Sequence, residues 1–132
     1  MPKAISGRNE EITENYLKFL DQHLANLVEG READMLHINE IATQLFLDPG
    51  HLSNTVKLVT GHHPCYFFDK KIIEKAKQLL KGTNLSVSEI ARTLTYDPSN
   101  FSKFFRKMTG LTPGDFRKMP VEEISEKFTM TK

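Results

Sequence analysis

Residues 41–67 and 90–116 align without a gap at an offset of 49, and this internal repeat limits the possible folds more than any other feature. The shared frame is Ile-Ala at 41 and 90, Leu45/Leu94, Asp48-Pro49/Asp97-Pro98, Ser53/Ser102, Thr60-Gly61/Thr109-Gly110, Pro64/Pro113 and Phe67/Phe116. Extending back to Leu36/Leu85 adds Glu40/Glu89, for twelve identities in 32 positions. A repeat of this length is one supersecondary unit used twice.

Each copy reads as helix, short turn, helix. In the second, Ser86-Val87-Ser88-Glu89 is a capping box, with hydroxyl and carboxylate serving each other's amides. Ile90, Ala91 and Leu94 then lie three to four apart on one face. Asp97-Pro98 starts the next helix, since Asp caps free amides and Pro suits a first-turn position that needs no donor. That helix is expected to turn Phe101, Phe104, Phe105 and Met108 inward, and Gly110 ends it. The first copy repeats the plan with Ile38, Ile41, Ala42 and Leu45, a break at Phe46-Leu47, then Asp48-Pro49 with Leu52, Val56 and Val59. Two short helices joined by a tight turn are helix-turn-helix geometry, in which the second helix enters the DNA major groove. A plain helical hairpin shares the pattern.

The outward residues weigh between those two. They are Gly50, His51, Ser53, Asn54 and Lys57 in the first copy, and Ser99, Asn100, Ser102, Lys103, Arg106 and Lys107 in the second. No acidic residue follows the capping Asp in either helix, whereas a merely solvated face usually mixes Glu with Lys. Asn, Ser, Lys and Arg are side chains that bond base edges and phosphates. Charge distribution agrees. Residues 1–34 are net −3, residues 35–120 net +5 and residues 121–132 net −1, within an overall +1. A modest excess focused on one face suffices for phosphate contacts.

The expected fold is all-α, with about seven helices. Residues 10–68 form a first helix-turn-helix subdomain, 69–82 a linker helix, 83–119 a second subdomain and 120–132 an acidic tail without an assigned role. Residues 10–29 form an amphipathic helix with Ile12, Tyr16, Phe19, Leu20, Leu24, Leu27 and Val28 at helical spacing, suited to packing on the first unit. A helix from about Phe68 to Lys81, roughly 20 Å long at 1.5 Å per residue, would hold two recognition helices near groove spacing. Its Lys70, Lys71, Lys75, Lys77 and Lys81 read as a charged outer face.

The pattern resembles the DNA-binding domain of AraC/XylS-type bacterial transcription regulators, two helix-turn-helix units joined by a helix. The resemblance rests on Leu85-Ser86-Val87-Ser88-Glu89-Ile90-Ala91, on Asp97-Pro98-Ser99-Asn100-Phe101-Ser102-Lys103-Phe104-Phe105-Arg106-Lys107-Met108-Thr109-Gly110-Leu111-Thr112-Pro113 and on Phe116-Arg117. It also takes in Ala76, Leu79 and Leu80 of the linker helix and runs from about Tyr16 to Lys118. It implies sequence-specific binding to double-stranded DNA. Base-reading positions fall on Gly50, Ser53, Asn54, Ser99, Asn100, Ser102 and Lys103, and phosphate contacts on Lys57, Arg106 and Lys107, with backbone amides at the two Asp-Pro helix starts as further phosphate donors. Two departures concern the second unit's turn. Thr95-Tyr96 stands where the family has Gly-Phe, and the turn is one residue shorter, which would re-aim that helix. The small first-unit slots, Gly50 among them, imply weaker direct readout there.

Many relatives carry an effector-sensing domain, and none is expected within this chain. The alternative from another functional class is a helical protein-interaction module that docks RNA polymerase or another regulator. Catalysis is not expected, since nucleotide motifs are absent. His62-His63-Pro64-Cys65 lacks a second ligand pair at zinc spacing and reads as an interhelical loop, so no metal or cofactor is expected. A single cysteine and the lack of a membrane-length apolar run fit a cytoplasmic, nucleoid-associated protein without a membrane partner.

Overall fold

The computed structural model describes residues 7–120, and the tail expected over residues 121–132 lies outside the described residues. Among the described residues there are seven helices and no strand: α1 (Gly7–Val28), α2 (Ile38–Gln44), α3 (Pro49–Thr60), α4 (Pro64–Gly82), α5 (Val87–Thr93), α6 (Pro98–Thr109) and α7 (Pro113–Lys118). The chain forms two compact units, Met1–Ile72 and Ile73–Lys132, and the boundary falls within α4. In the first, α1 and α2 pack against α3; in the second, α5 and α7 pack against α6.

The repeated residues make the same local bonds twice. Asp48 and Asp97 each cap the following helix, accepting from the amides of Gly50 and His51, and of Ser99 and Asn100. Glu40 accepts from the His37 amide at 2.7 Å and Glu89 from the Ser86 amide at 2.8 Å. Thr60 and Thr109 return their hydroxyls to Val56 and Phe105 carbonyls, and each hydroxyl oxygen takes an amide two residues on. Gly61 and Gly110, both at φ 84°, end the helices in the left-handed conformation that glycine adopts at no steric cost.

The first unit's core is Ile12, Tyr16, Leu20, Leu24, Leu27, Ile41, Ala42, Leu52 and Val56, with Phe68 and Ile72 from α4. Phe19 and Val28 are half-buried, and His23 takes the place in the core that their spacing suggested for them. The Nε2 of His23 accepts from the Leu36 amide at 3.0 Å, so its hydrogen sits on Nδ1. That nitrogen lies 2.6 Å from Glu32 Oε1, close but off an ideal hydrogen-bond line. This tethers the α1–α2 connection to α1. Tyr16 donates its buried hydroxyl to the Pro64 carbonyl at 2.9 Å, and burial raises its pKa, keeping the phenol a donor.

Two expectations about element and core limits are corrected. The helix placed at about Phe68 begins at Pro64, so Pro64 and Cys65 are helical. The Tyr16 bond and the His63 Nδ1 acceptor for the Cys65 amide, at 3.1 Å, organise that first turn from outside it. On α6, Phe101 and Phe105 are fully buried, but Phe104 is half-buried and Met108 is 36% exposed. Phe104 instead stacks on Tyr96, with ring centroids 5.5 Å apart.

The α4 lysines are mostly engaged. Lys71 pairs with Asp21 at 2.8 Å, Lys77 with Glu74 at 3.5 Å, and Lys70 lies 5.2 Å over the Tyr66 ring. Lys81 donates to the carbonyls of Arg117 and Met119, while Arg117 donates to the carbonyls of Leu80 and Thr83. The Arg117 bonds satisfy carbonyls at and just past the end of α4, and the four bonds together fasten α7 to it.

Both helix-turn-helix turns place a non-glycine residue at positive φ: Phe46 at 62° and Thr95 at 64°. The amides of Phe46 and Leu47 bond back into α2, and those of Thr95 and Tyr96 into α5, so the sharp turn is held on both sides of the strained residue. An L side chain in this region costs about 1–2 kcal/mol, and glycine returns part of that gain as unfolded-chain entropy. Phe46→Gly and Thr95→Gly are each expected to stabilise the protein by about 0.5–1 kcal/mol, read as a higher urea midpoint at unchanged slope.

Candidate nucleic-acid interface

Helices α3 and α6 have the same length, the same Asp-Pro start and the same Thr-Gly stop, so matched positions present matched faces. On α3, Gly50, Asn54 and Lys57 are exposed at spacings of four and three, along one side. His51 is exposed beside them and Ser53 is half-buried at the edge. On α6, Ser99, Asn100, Lys103, Arg106 and Lys107 are exposed, and Ser102 is half-buried in the place of Ser53. Every candidate side chain chosen from the sequence therefore lies at or beside the open face of its helix.

The two faces differ in charge. Beyond the capping Asp, α6 carries Lys103, Arg106 and Lys107, and α3 carries Lys57 alone. Aligned by the repeat, Asn54 stands at the position of Lys103 and Leu58 at that of Lys107. Leu58 is 65% exposed, a residue that helical periodicity alone did not single out. The comparison of repeats is the signal that finds it.

The helix starts correct one expectation. The Gly50, His51, Ser99 and Asn100 amides, offered above as phosphate donors, are taken by the carboxylates of Asp48 and Asp97 at 2.9 to 3.4 Å. A carboxylate already sits where a phosphate would have to bind. Asp97 also accepts from the Ser99 hydroxyl at 2.8 Å. The hydroxyl hydrogen is thereby committed, and Ser99 faces outward chiefly as an acceptor.

These bonds have a pH signature. The Ser99 hydroxyl, then the Asn100 amide, hold the Asp97 carboxyl below its ordinary range, with a smaller contribution from Lys103. The Ser86 amide and hydroxyl do the same for Glu89. A group whose pKa is depressed by folding stabilises the fold above its unfolded pKa, and that contribution is lost as pH falls through the folded value. The melting temperature is therefore expected to drop as pH falls below about 4. Asp97→Asn should flatten that part of the profile, in thermal melts recorded from pH 6 to pH 3.

Among the described residues, no group of three or more His, Cys, Asp or Glu side chains could hold a metal ion. His62 stacks on Tyr66 with centroids 4.0 Å apart, and the Nδ1 lone pair of His63 is spent on the Cys65 amide. Partial burial, then Asp69, pushes the Cys65 thiol pKa up, which disfavours the nucleophilic thiolate. A hollow lined by Arg8, Ile12, Asn15, Leu45 and Leu47 has a volume of about 50 Å³, too small for an organic effector. Among the described residues, no helix is long and apolar enough to cross a membrane.

Residues 41–119 match the model of a helix-turn-helix domain family. The chain is 26% identical over 110 residues to the arabinose operon regulatory protein of Escherichia coli (strain K12), covering 83% of this chain and 35% of that protein. The chain spans well under half the length of curated relatives that it matches, 13% of one and 39% of another. Among solved structures it is similar to the C-terminal domain of AraT, a response regulator from Geobacillus stearothermophilus. The TM-score is 0.70 at 29% identity, with 81% of this chain and 84% of that one covered. The DNA-binding domain of AdpA, a global transcriptional factor solved in complex with a target DNA, shares the fold with a TM-score of 0.59 at 19% identity. That match covers 82% of this chain and 97% of that one.

Proposed function

This chain belongs to the AraC-type helix-turn-helix transcription regulators, and we propose that it is a sequence-specific DNA-binding regulator. It reads one asymmetric bipartite site, with α3 and α6 in successive major grooves. The observation that carries this reading is the paired recognition faces, alike in length, caps and stop, exposed, and free of acidic residues past the capping Asp.

In this reading Lys103, Ser99, Asn100 and Ser102 of α6, and Asn54, Ser53 and the bare Gly50 slot of α3, face base edges. Arg106, Lys107 and Lys57 meet phosphates. The three cations of α6 make the second unit the stronger anchor. In this reading the protein acts on chromosomal DNA, in the bacterial cytoplasm at the nucleoid.

The second reading is a protein-docking module for RNA polymerase or another regulator. The observation on its side is Phe46, 94% exposed in a strained turn and without a role in the core.

Selection from random-sequence duplex DNA separates the two. A motif of two blocks about 10 base pairs apart is expected for the regulator. Enrichment of one block would leave only the second unit reading bases. Salt-sensitive binding without enrichment would reduce the function to phosphate contacts, and no binding would favour the docking module.

A further inference from the structure

Gly50, Asn54 and Leu58 lie four residues apart on α3 and form one exposed ridge of the recognition helix. The ridge is unusual in what it lacks. Its first position has no side chain, and a Cβ there would come within 3.1 Å of Asp48 Oδ2. Its last is Leu58, 65% exposed, where α6 places Lys107. Where α6 presents a cation, α3 presents a branched hydrocarbon on the face that, in the reading above, is turned to DNA.

Major-groove edges offer apolar side chains one partner, the C5-methyl of thymine. We propose that Leu58 is a base-reading residue that packs on a thymine methyl in the first half-site. Asn54, on the same ridge, makes the adjoining polar contact, for which adenine N6 and N7 are the matching edge. Four residues of helix advance about 6 Å, close to two base-pair steps of about 3.4 Å. The first half-site therefore contains an adenine and a thymine about two steps apart, on either strand. The bare Gly50 position lets the helix start approach the bases closely enough for short side chains to reach them. The first unit then reads mainly by shape and methyl contact, and the second by charge.

This rests on the DNA-binding reading, and the test keeps the two apart. The full chain is used to select its site from random duplex DNA. Each thymine in that site is then replaced singly by deoxyuridine, which removes only the methyl. Affinities are measured for the wild type, Leu58→Ala and Leu58→Lys, with a thermal melt of each. One thymine is expected to be sensitive, its replacement weakening wild-type binding about fourfold, the value of burying one methyl-sized group. Leu58→Ala should bind the parent site with a similar loss and no longer respond to that replacement. Leu58→Lys should also be indifferent to it and show a steeper salt dependence. Specific binding in which no thymine methyl matters overturns the proposal while leaving the regulator reading intact, as does equal sensitivity in the wild type and Leu58→Ala. Failure to select any site overturns both.

Discussion

Lys103→Ala is expected to weaken binding to the selected site by about 1–3 kcal/mol and to relax preference at one base pair of the second half-site. Lys103 is exposed one turn beyond Ser99, on a helix whose recognition face carries no acidic side chain after Asp97. In the proposed reading its ammonium meets guanine O6 and N7, and its loss leaves those acceptors without a partner. Arg106→Ala should behave differently. Arg106 lies in the last turn of α6, and its removal is expected to weaken all sequences alike and to lower the salt slope by about one. Affinities measured on matched, single-mismatch and random duplexes at several salt concentrations separate the two patterns. If neither variant changes binding, α6 is not the reading helix. The corresponding first-unit variant, Asn54→Ala, should alter preference in the other block only.

The second large effect is on stability. Phe105→Ala is expected to cost about 3–5 kcal/mol, enough to unfold a marginal helical domain. Phe105 is fully buried, with its ring 5.6 Å from that of Phe116 and 6.0 Å from that of Phe101. These rings bind α6 to α7, so truncation opens a cavity at the centre of the second unit. Met108→Ala on the same helix should cost far less, about 1 kcal/mol, because 36% of Met108 is already open to water. Urea unfolding of both variants gives the contrast. Equal losses would mean that the exposed end of α6 is packed more tightly than its surface indicates. The loss of packing should also remove the second block from the selected motif, because the positions of Lys103 and Arg106 depend on the helix that Phe105 holds in place.

The repeat made most of the helix limits legible because caps and stops act within a few residues. Asp48 and Asp97 bond amides two and three positions ahead. Thr60-Gly61 and Thr109-Gly110 close their helices with bonds to carbonyls four positions back. The outward placement of Asn54, Lys57, Lys103, Arg106 and Lys107 was legible for the same reason, since helical spacing alone sets them opposite Leu52, Val56, Phe101 and Phe105.

Other features depended on partners far away in the chain. α4 starts at Pro64, whose carbonyl takes a bond from Tyr16, 48 residues earlier. His23 is buried because the Leu36 amide and Glu32 come back to meet it. Periodicity marks the middle of a buried face but not its width, so Phe104 and Met108 lie at the margin although they share spacing with Phe101 and Phe105. The left-handed Phe46 and Thr95 were hidden for a related reason. Neither residue type prefers that conformation, and the bonds of the turn impose it. The duplicated helix-turn-helix plan, its caps and its polar outward faces follow from the sequence, because those rest on short-range bonds and helical spacing. Which residues at the edge of each face are covered depends on the packing of helices brought together from distant parts of the chain, and the strained turns depend on bonds that no residue preference announces.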